Sequence, residues 1–316
     1  MKKFFALFVA LCTFAAVSAA DIPGNQDLKQ DTRIVTEFQQ VVVTADFNIK
    51  LDYAVTPKVM VEAESNLLPY IITEVKGKTL NIYVEKKTRL APNYPITITL
   101  STSMLNKLQF KGEGNITADG IPSDKMDLSL SGKGQCNITN LKTGSLKVAA
   151  TGDFDLSMKD VMSNGGVKIS MADNVTANIN NFTAPKLEIE ANSLEGSRWG
   201  SVQTDALTLK VTNAGNMDFT GFAGKDVNAT MTSTGTVSMS GTARNVNITA
   251  SNASNFDALN LAAEKAKVVN NGTGDLGVAP SASLDVTITS SGSVMFKGDL
   301  KISYTSNGSG QLVKKK

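Results

Sequence analysis

The chain has 316 residues, 41% of them apolar and 19% charged, with 31 Lys and Arg against 29 Asp and Glu. That length and apolar share supply a substantial core and exclude a disordered chain. Histidine is absent, which removes Ser-His-Asp and Cys-His catalysis and the commonest zinc ligand sets.

Met1-Lys2-Lys3, an apolar run from Phe4 to Val17 and then Ser18-Ala19-Ala20 predict a secretory signal over residues 1–20, cleaved after Ala19 or Ala20. The run is too short for a transmembrane helix, which needs about 20 apolar residues. Cys12 raises the alternative of a lipid anchor, but Leu11 stands where lipoprotein processing needs a small residue, so ordinary cleavage is the expectation. Losing residues 1–20 removes Lys2 and Lys3 and no acid, so 31 − 2 = 29 bases face 29 acids. A neutral mature chain argues against nucleic acid as a partner. Of the two cysteines only Cys136 then remains, which excludes an intrachain disulfide. Cys136 occupies a position that other copies of the repeat described below fill with apolar residues, and it is expected to be a buried, inert thiol.

Residues 21–33 are polar and patternless and are expected to form a flexible lead-in. Residues 34–104 read as a strand-rich entry or cap region, with alternation at Phe47, Ile49 and Leu51, at Val59, Val61 and Ala63, at Leu80, Ile82 and Val84, and at Ile96, Ile98 and Leu100. Pro69 cannot donate to a ladder, so Asn66–Ile72 is expected as a short helix or bent crossing. Arg89–Pro95 reads as a loop.

Residues 105–312 form a repeat. Leu207, Leu209 and Val211 alternate before a Gly-centred turn, Met217 and Phe219 follow, and the phrase restarts at Val227, Ala229 and Met231. Aligning the apolar residue after each turn gives Ile116, Cys136, Phe154, Val175, Met217, Val237, Phe256, Leu276, Val294 and Leu312. A period of roughly 20 residues built from short strands predicts an all-β, single-stranded parallel β-helix. Stacked copies turn like positions into ladders; Val148, Ile169, Ile189, Leu209, Ala229, Ile248 and Val286 are expected to form one, in a rod on the order of 50 Å long at about 4.8 Å per coil. A β-sandwich also has closely spaced strands, but glycine recurring once per period marks one corner turned repeatedly. Residues 313–316 are expected to be a solvated basic tail.

The entry pattern Phe38–Val43 with Phe47-Asn48-Ile49, the stretch Asn66-Leu67-Leu68 followed by Ile71 and Leu80-Asn81-Ile82, the run Leu130–Gly134, and the closing phrases Ser291–Val294 and Ser306–Gly310 resemble the head GIN domain family of autotransporter adhesins. The resemblance spans about residues 34 to 312. It implies an exported bacterial protein with a right-handed, pectin-lyase-like β-helix and an adhesion role, without assigned catalytic residues.

Acids near turns are the candidates for chemistry: Asp153, Asp155, Asp173, Asp218, Asp257 and Asp275. Asp153 and Asp173 fall one coil apart, and such a pair could serve glycoside cleavage or hold a hard cation. The competing account is that Asp and Asn suit turns because their side chains mimic backbone hydrogen bonds, and no metal or other cofactor is expected. The irregular coil Ser193–Gly200 holds the only Trp. Glu195, Arg198 and Trp199 are therefore candidate ligand contacts, with an exposed Trp199 beside Arg198 as a platform for a sugar or a partner protein and a core-filling Trp199 as the alternative. Triplets such as Asn115-Ile116-Thr117, Asn137-Ile138-Thr139 and Asn247-Ile248-Thr249 read as repeat punctuation: Asn at a corner, an inward apolar residue, an outward Thr.

The expectation is an exported, non-enzymatic β-helix that binds polysaccharide or a surface protein at the cell envelope. A polysaccharide lyase or hydrolase on the same scaffold is the alternative by fold analogy. A structural envelope subunit that pairs with copies of itself is a third, because exposed coil ends carry unpaired edges.

Overall fold

A computed structural model describes residues 20–192, 196–213 and 215–316; all but the last residue of the signal reading over residues 1–20, Cys12 included, and Glu195 lie outside the described residues. The chain is a β-solenoid whose coils are joined by parallel ladders. One ladder runs Val41, Leu108, Leu128, Val148, Ile169, Ile189, Leu209, Ala229, Ile248, Val268, Val286. It contains every residue expected there, and all of these side chains are buried.

Each coil has three straight stretches with a ladder apiece. The first stretch carries the ladder just given. The second carries Ile138, Met158, Ile179, Trp199, Phe219 and Met239. The third carries Val161, Phe182, Val202 and Phe222. Inward residues bury their apolar surface against the stack at roughly 25 cal/mol per Å², while parallel pairing satisfies the backbone. Between the second and third stretches the chain bends at Asn140, Asp160 and Asn181, each with φ near +55°, a left-handed conformation that Asn and Asp tolerate better than other residues with a Cβ.

The register differs from the sequence alignment in the middle of the stack. Cys136 pairs with Leu156, then Ala177, Ser197 and Met217, so Phe154 and Val175 stand two places early. A two-residue slip keeps every side chain on its own face, and for that reason alternation alone did not reveal it.

One corner depends on glycine. Gly112, Gly132 and Gly152 are stacked in register, and a Cβ on Gly132 or Gly152 would lie 2.0 or 2.2 Å from the carbonyl oxygen of the glycine one coil earlier. With φ of 126° and 96°, both also sit where an L side chain is strained.

The entry region closes one end of the stack. Strands Gln40–Thr44 and Asn48–Tyr53 pair in parallel with the first regular coil, and the hairpin Ile71–Lys76 with Thr79–Val84 and the antiparallel strand Lys58–Glu64 lie beyond them. The expected crossing at Asn66–Ile72 is a 3-10 turn, Leu68–Tyr70. The lead-in expected to be flexible is instead ordered as two strands: Leu28–Ile34 pairs antiparallel with Lys58–Glu64, and Ala20–Pro23 pairs with Thr88–Ala91, which overlaps the start of the expected loop. Composition concealed this because Leu28–Ile34 is an edge strand with little buried surface. It is held instead by polar clasps. The Arg33 guanidinium donates to the carbonyls of Ile71 and Leu68 and to Thr73 Oγ1. Glu64, buried, accepts from the amides of Gln26 and Asn93 and from Asn93 Nδ2. At the other end of the chain, Leu312–Lys314 is a strand and Lys314 pairs with Asp299, and Lys314, Lys315 and Lys316 are exposed, as expected of a solvated basic tail.

Candidate functional site

The outward side of the second stretch is concave. A groove of about 880 Å³ is lined by Gln135, Asn137, Asp155, Ser157, Thr176, Asn178, Gly196, Arg198, Asn216, Asp218, Thr236 and Ser238, with edges of the inward residues between them. Two outward rows build it. One is the corner row Gln135, Asp155, Thr176, Gly196. The other is Asn137, Ser157, Asn178, Arg198, Asp218, Ser238, one residue per coil.

Several polar groups of the corner row are spent on the fold. Asn115 Oδ1 accepts from the Gln135 amide at 3.2 Å, Asn216 Oδ1 from the Thr236 amide at 3.0 Å, and Asn255 Oδ1 from the Asp275 amide at 2.9 Å. Asn115, the first residue of one Asn-x-Thr triplet, thus acts with Asn216 and Asn255 as a corner brace between coils, whereas Asn137 and Asn247 of the other two triplets stand outward within straight stretches rather than at a corner. Thr176 Oγ1 donates to Asp155 Oδ1. Gly196 interrupts the row and hollows its middle: among the described residues, a Cβ placed there would meet only the Asn216 carbonyl oxygen, at 4.0 Å.

The second row differs. Asn137, Ser157, Asn178, Arg198, Asp218 and Ser238 are exposed or half-buried, and none of their side chains has a protein partner among the described hydrogen bonds and ion pairs. At other places on the surface, side chains on neighbouring coils bond one another. Lys168 bridges Glu188 and Glu190 at 2.9 Å each, Lys225 pairs with Asp205 at 2.9 Å, and Asn247 Nδ2 donates to Asn228 Oδ1 at 2.9 Å. Arg198 and Asp218 are register neighbours yet form no ion pair, leaving a cation and an anion side by side in the groove.

The candidates from sequence separate. Arg198 lines the groove. Trp199 is not an exposed platform: it is fully buried, stacked on Phe219 with centroids 5.5 Å apart and edge-on to Phe182 at 6.4 Å, and its Nε1 donates to Ser197 Oγ at 3.2 Å. Alternation explains this, because Arg198 points out and its neighbour must point in. Ser197 supplies a buried acceptor for the indole where the rest of that ladder is largely apolar.

The acids also have local roles. Asp153 pairs with Lys133 at 2.9 Å, on the coil before it, and Asp173, at φ 65°, accepts from the Gly152 amide at 3.3 Å. The two lie on adjacent coils but are turned to different partners. Asp257 braces the Leu259 amide and Asp275 the Ser293 amide. No cluster of three or more Cys, Asp or Glu side chains suited to a metal ion occurs among the described residues. Cys136 is fully buried, and burial pushes its thiol pKa up to about 12, as expected of an inert core thiol.

The family model described as "Putative auto-transporter adhesin, head GIN domain" matches residues 37–193 and 157–299. No curated protein matches the chain. Among solved structures, a "putative adhesin" from Bacteroides fragilis is 18% identical with a TM-score of 0.31, covering 93% of this chain and 100% of its own. A "putative adhesin" from Parabacteroides merdae is 15% identical with a TM-score of 0.39, covering 94% and 99%. Another, from Parabacteroides distasonis, is 14% identical with a TM-score of 0.40, covering 94% and 100%. With the two family matches together spanning most of its length, the chain belongs to the head GIN domain family of auto-transporter adhesins.

Proposed function

We propose that the protein is an exported, non-catalytic binding solenoid of the cell envelope or surface, and that the groove on the second stretch is its contact face. Family membership supports the adhesion role. The observation that carries the choice of face is the row of polar side chains in the groove left unpartnered by the fold. No helix among the described residues is long and apolar enough to cross a membrane, so any attachment to the envelope is expected to run through contacts of the solenoid or through segments outside the described residues.

The test is retention of labelled protein on whole cells and isolated envelope fractions, with the Gly196→Gln variant in parallel. The open space above Gly196 accepts a side chain without displacing backbone, so this variant fills the groove while the coil still stacks. Retention by the wild type and its loss in the variant are expected. Equal retention by both would move the contact face elsewhere, retention by neither would remove the adhesion role, and shortened polysaccharide chains after incubation would replace binding with catalysis.

A further inference from the structure

The geometry of the unpartnered row narrows the ligand. Asn137, Ser157, Asn178, Arg198, Asp218 and Ser238 project one hydrogen-bonding side chain per coil over six consecutive coils. At about 4.8 Å per coil the row extends about 24 Å along the solenoid axis. A ligand satisfying it must present polar groups at that same interval along a straight line. An extended peptide does not, because its side chains return to one face only every second residue, about 6.8 Å apart, and drift out of step within two coils. A pyranose unit in an extended glycan advances by close to the coil spacing and offers hydroxyls at every unit.

Charge narrows it further. Asp155 and Asp218 flank the groove and Arg198 is the only cation among its described lining residues, so a chain with an acid on every sugar would meet more repulsion than attraction. A carboxylate such as Asp218 accepts from two neighbouring hydroxyls at once, and the Arg198 guanidinium donates to ring or hydroxyl oxygens beside them. Amides and hydroxyls at the other four positions both donate and accept, which suits hydroxyls of either orientation.

Resting on the groove as contact face, we infer that the row is a subsite ladder for a neutral, unbranched polysaccharide lying along the solenoid axis, one sugar per coil. Binding exchanges solvent for sugar hydroxyls on exposed polar side chains, so each contact is weak and affinity accumulates with length.

Calorimetric titration of the wild-type protein with length series of linear neutral glucan, mannan, galactan and xylan oligosaccharides, from about two to ten units, tests this. For at least one series the affinity is expected to rise with each added sugar until the chain spans the row and then to level off. Replacing Asn178, Arg198 and Asp218 together with Ala is expected to weaken binding about 30-fold or more, as befits several lost hydrogen bonds, with an unchanged melting temperature because none of the three braces the fold. Gly196→Gln is expected to abolish binding to long chains and spare the shortest.

Failure of all four neutral series to bind would overturn the inference, as would affinity independent of length or insensitive to both variants. Tighter binding of oligogalacturonides, or of an extended Ser- and Asn-rich peptide, would overturn it in favour of those ligands. If cells retain the wild type but not Gly196→Gln while no neutral glycan binds, the ligand class fails and the contact face stands.

Discussion

Replacing Trp199 with Ala tests both the packing of the solenoid and the placement of its one tryptophan. The side chain is fully buried between Phe182 and Phe219 and satisfies Ser197 Oγ. Truncating a core Trp to Ala costs about 3–5 kcal/mol through lost transfer energy and the cavity left behind. Two aromatic contacts at about 0.5–1.5 kcal/mol each, and a buried serine left without its donor at about 1 kcal/mol, place this site at the upper end, near 5 kcal/mol. Trp199→Phe keeps a ring on Phe219 and loses the N–H and part of the volume, for about 1–2 kcal/mol. Urea unfolding followed by far-ultraviolet circular dichroism reads both variants, since the alanine variant has no tryptophan fluorescence. In the wild type that emission should be blue-shifted and resistant to acrylamide. A cost below about 1 kcal/mol for Trp199→Ala, or readily quenched wild-type emission, would refute the buried assignment and return Trp199 to the surface.

Gly132→Ala should destabilise by more than about 1 kcal/mol, because its methyl would press on the Gly112 carbonyl oxygen; thermal unfolding checks it against Gly196→Ala, which has open space and should be nearly silent. Burial raises the Glu64 pKa, but hydrogen bonds from the Asn93 side chain and from the Gln26, Asn93 and Tyr94 amides outweigh it and hold the carboxyl below its usual value. A depressed folded-state pKa contributes stability that is fully present above the unfolded value of about 4.3 and is lost as pH falls through the folded value. Protection factors for amide exchange in Leu28–Ile34, with the intrinsic pH dependence of exchange divided out, should therefore fall on acidification, and Glu64→Gln should flatten that dependence. Cys136 should resist alkylation at pH 8 in the folded protein and react on unfolding, measured by mass spectrometry.

The solenoid was legible because its inward residues are chemically distinct from their neighbours and recur. Seven residues from Val148 to Val286 could be placed in one ladder from alternation and period alone, with Val268 left out between the last two. Two kinds of feature were not legible. The closure of the stack rests on Arg33 and Glu64, charged residues whose partners are mostly backbone groups about 30 to 40 positions away, and no local pattern announces such contacts. The groove was only half visible: the irregular coil drew attention to Arg198 and Trp199, yet the decisive residue there is Gly196, whose absent side chain opens the floor. Asn137, Ser157, Asn178 and Ser238 look in sequence like any solvated outer face. Only the register, which puts them in one line, and the absence of protein partners set them apart from Asn115 or Asn216.

Because each coil touches only its two neighbours, the solenoid is a ruler with identical divisions. Lengthening or shortening the repeat by one whole coil moves every mark beyond it by one division and leaves the remainder in step, whereas adding a single residue within a strand turns its outward groups inward. Variation among solenoids of this kind is then quantised, with reach changing by whole coils, and a partner that reads one mark per coil can be matched to a longer or shorter scale without redesign of any mark.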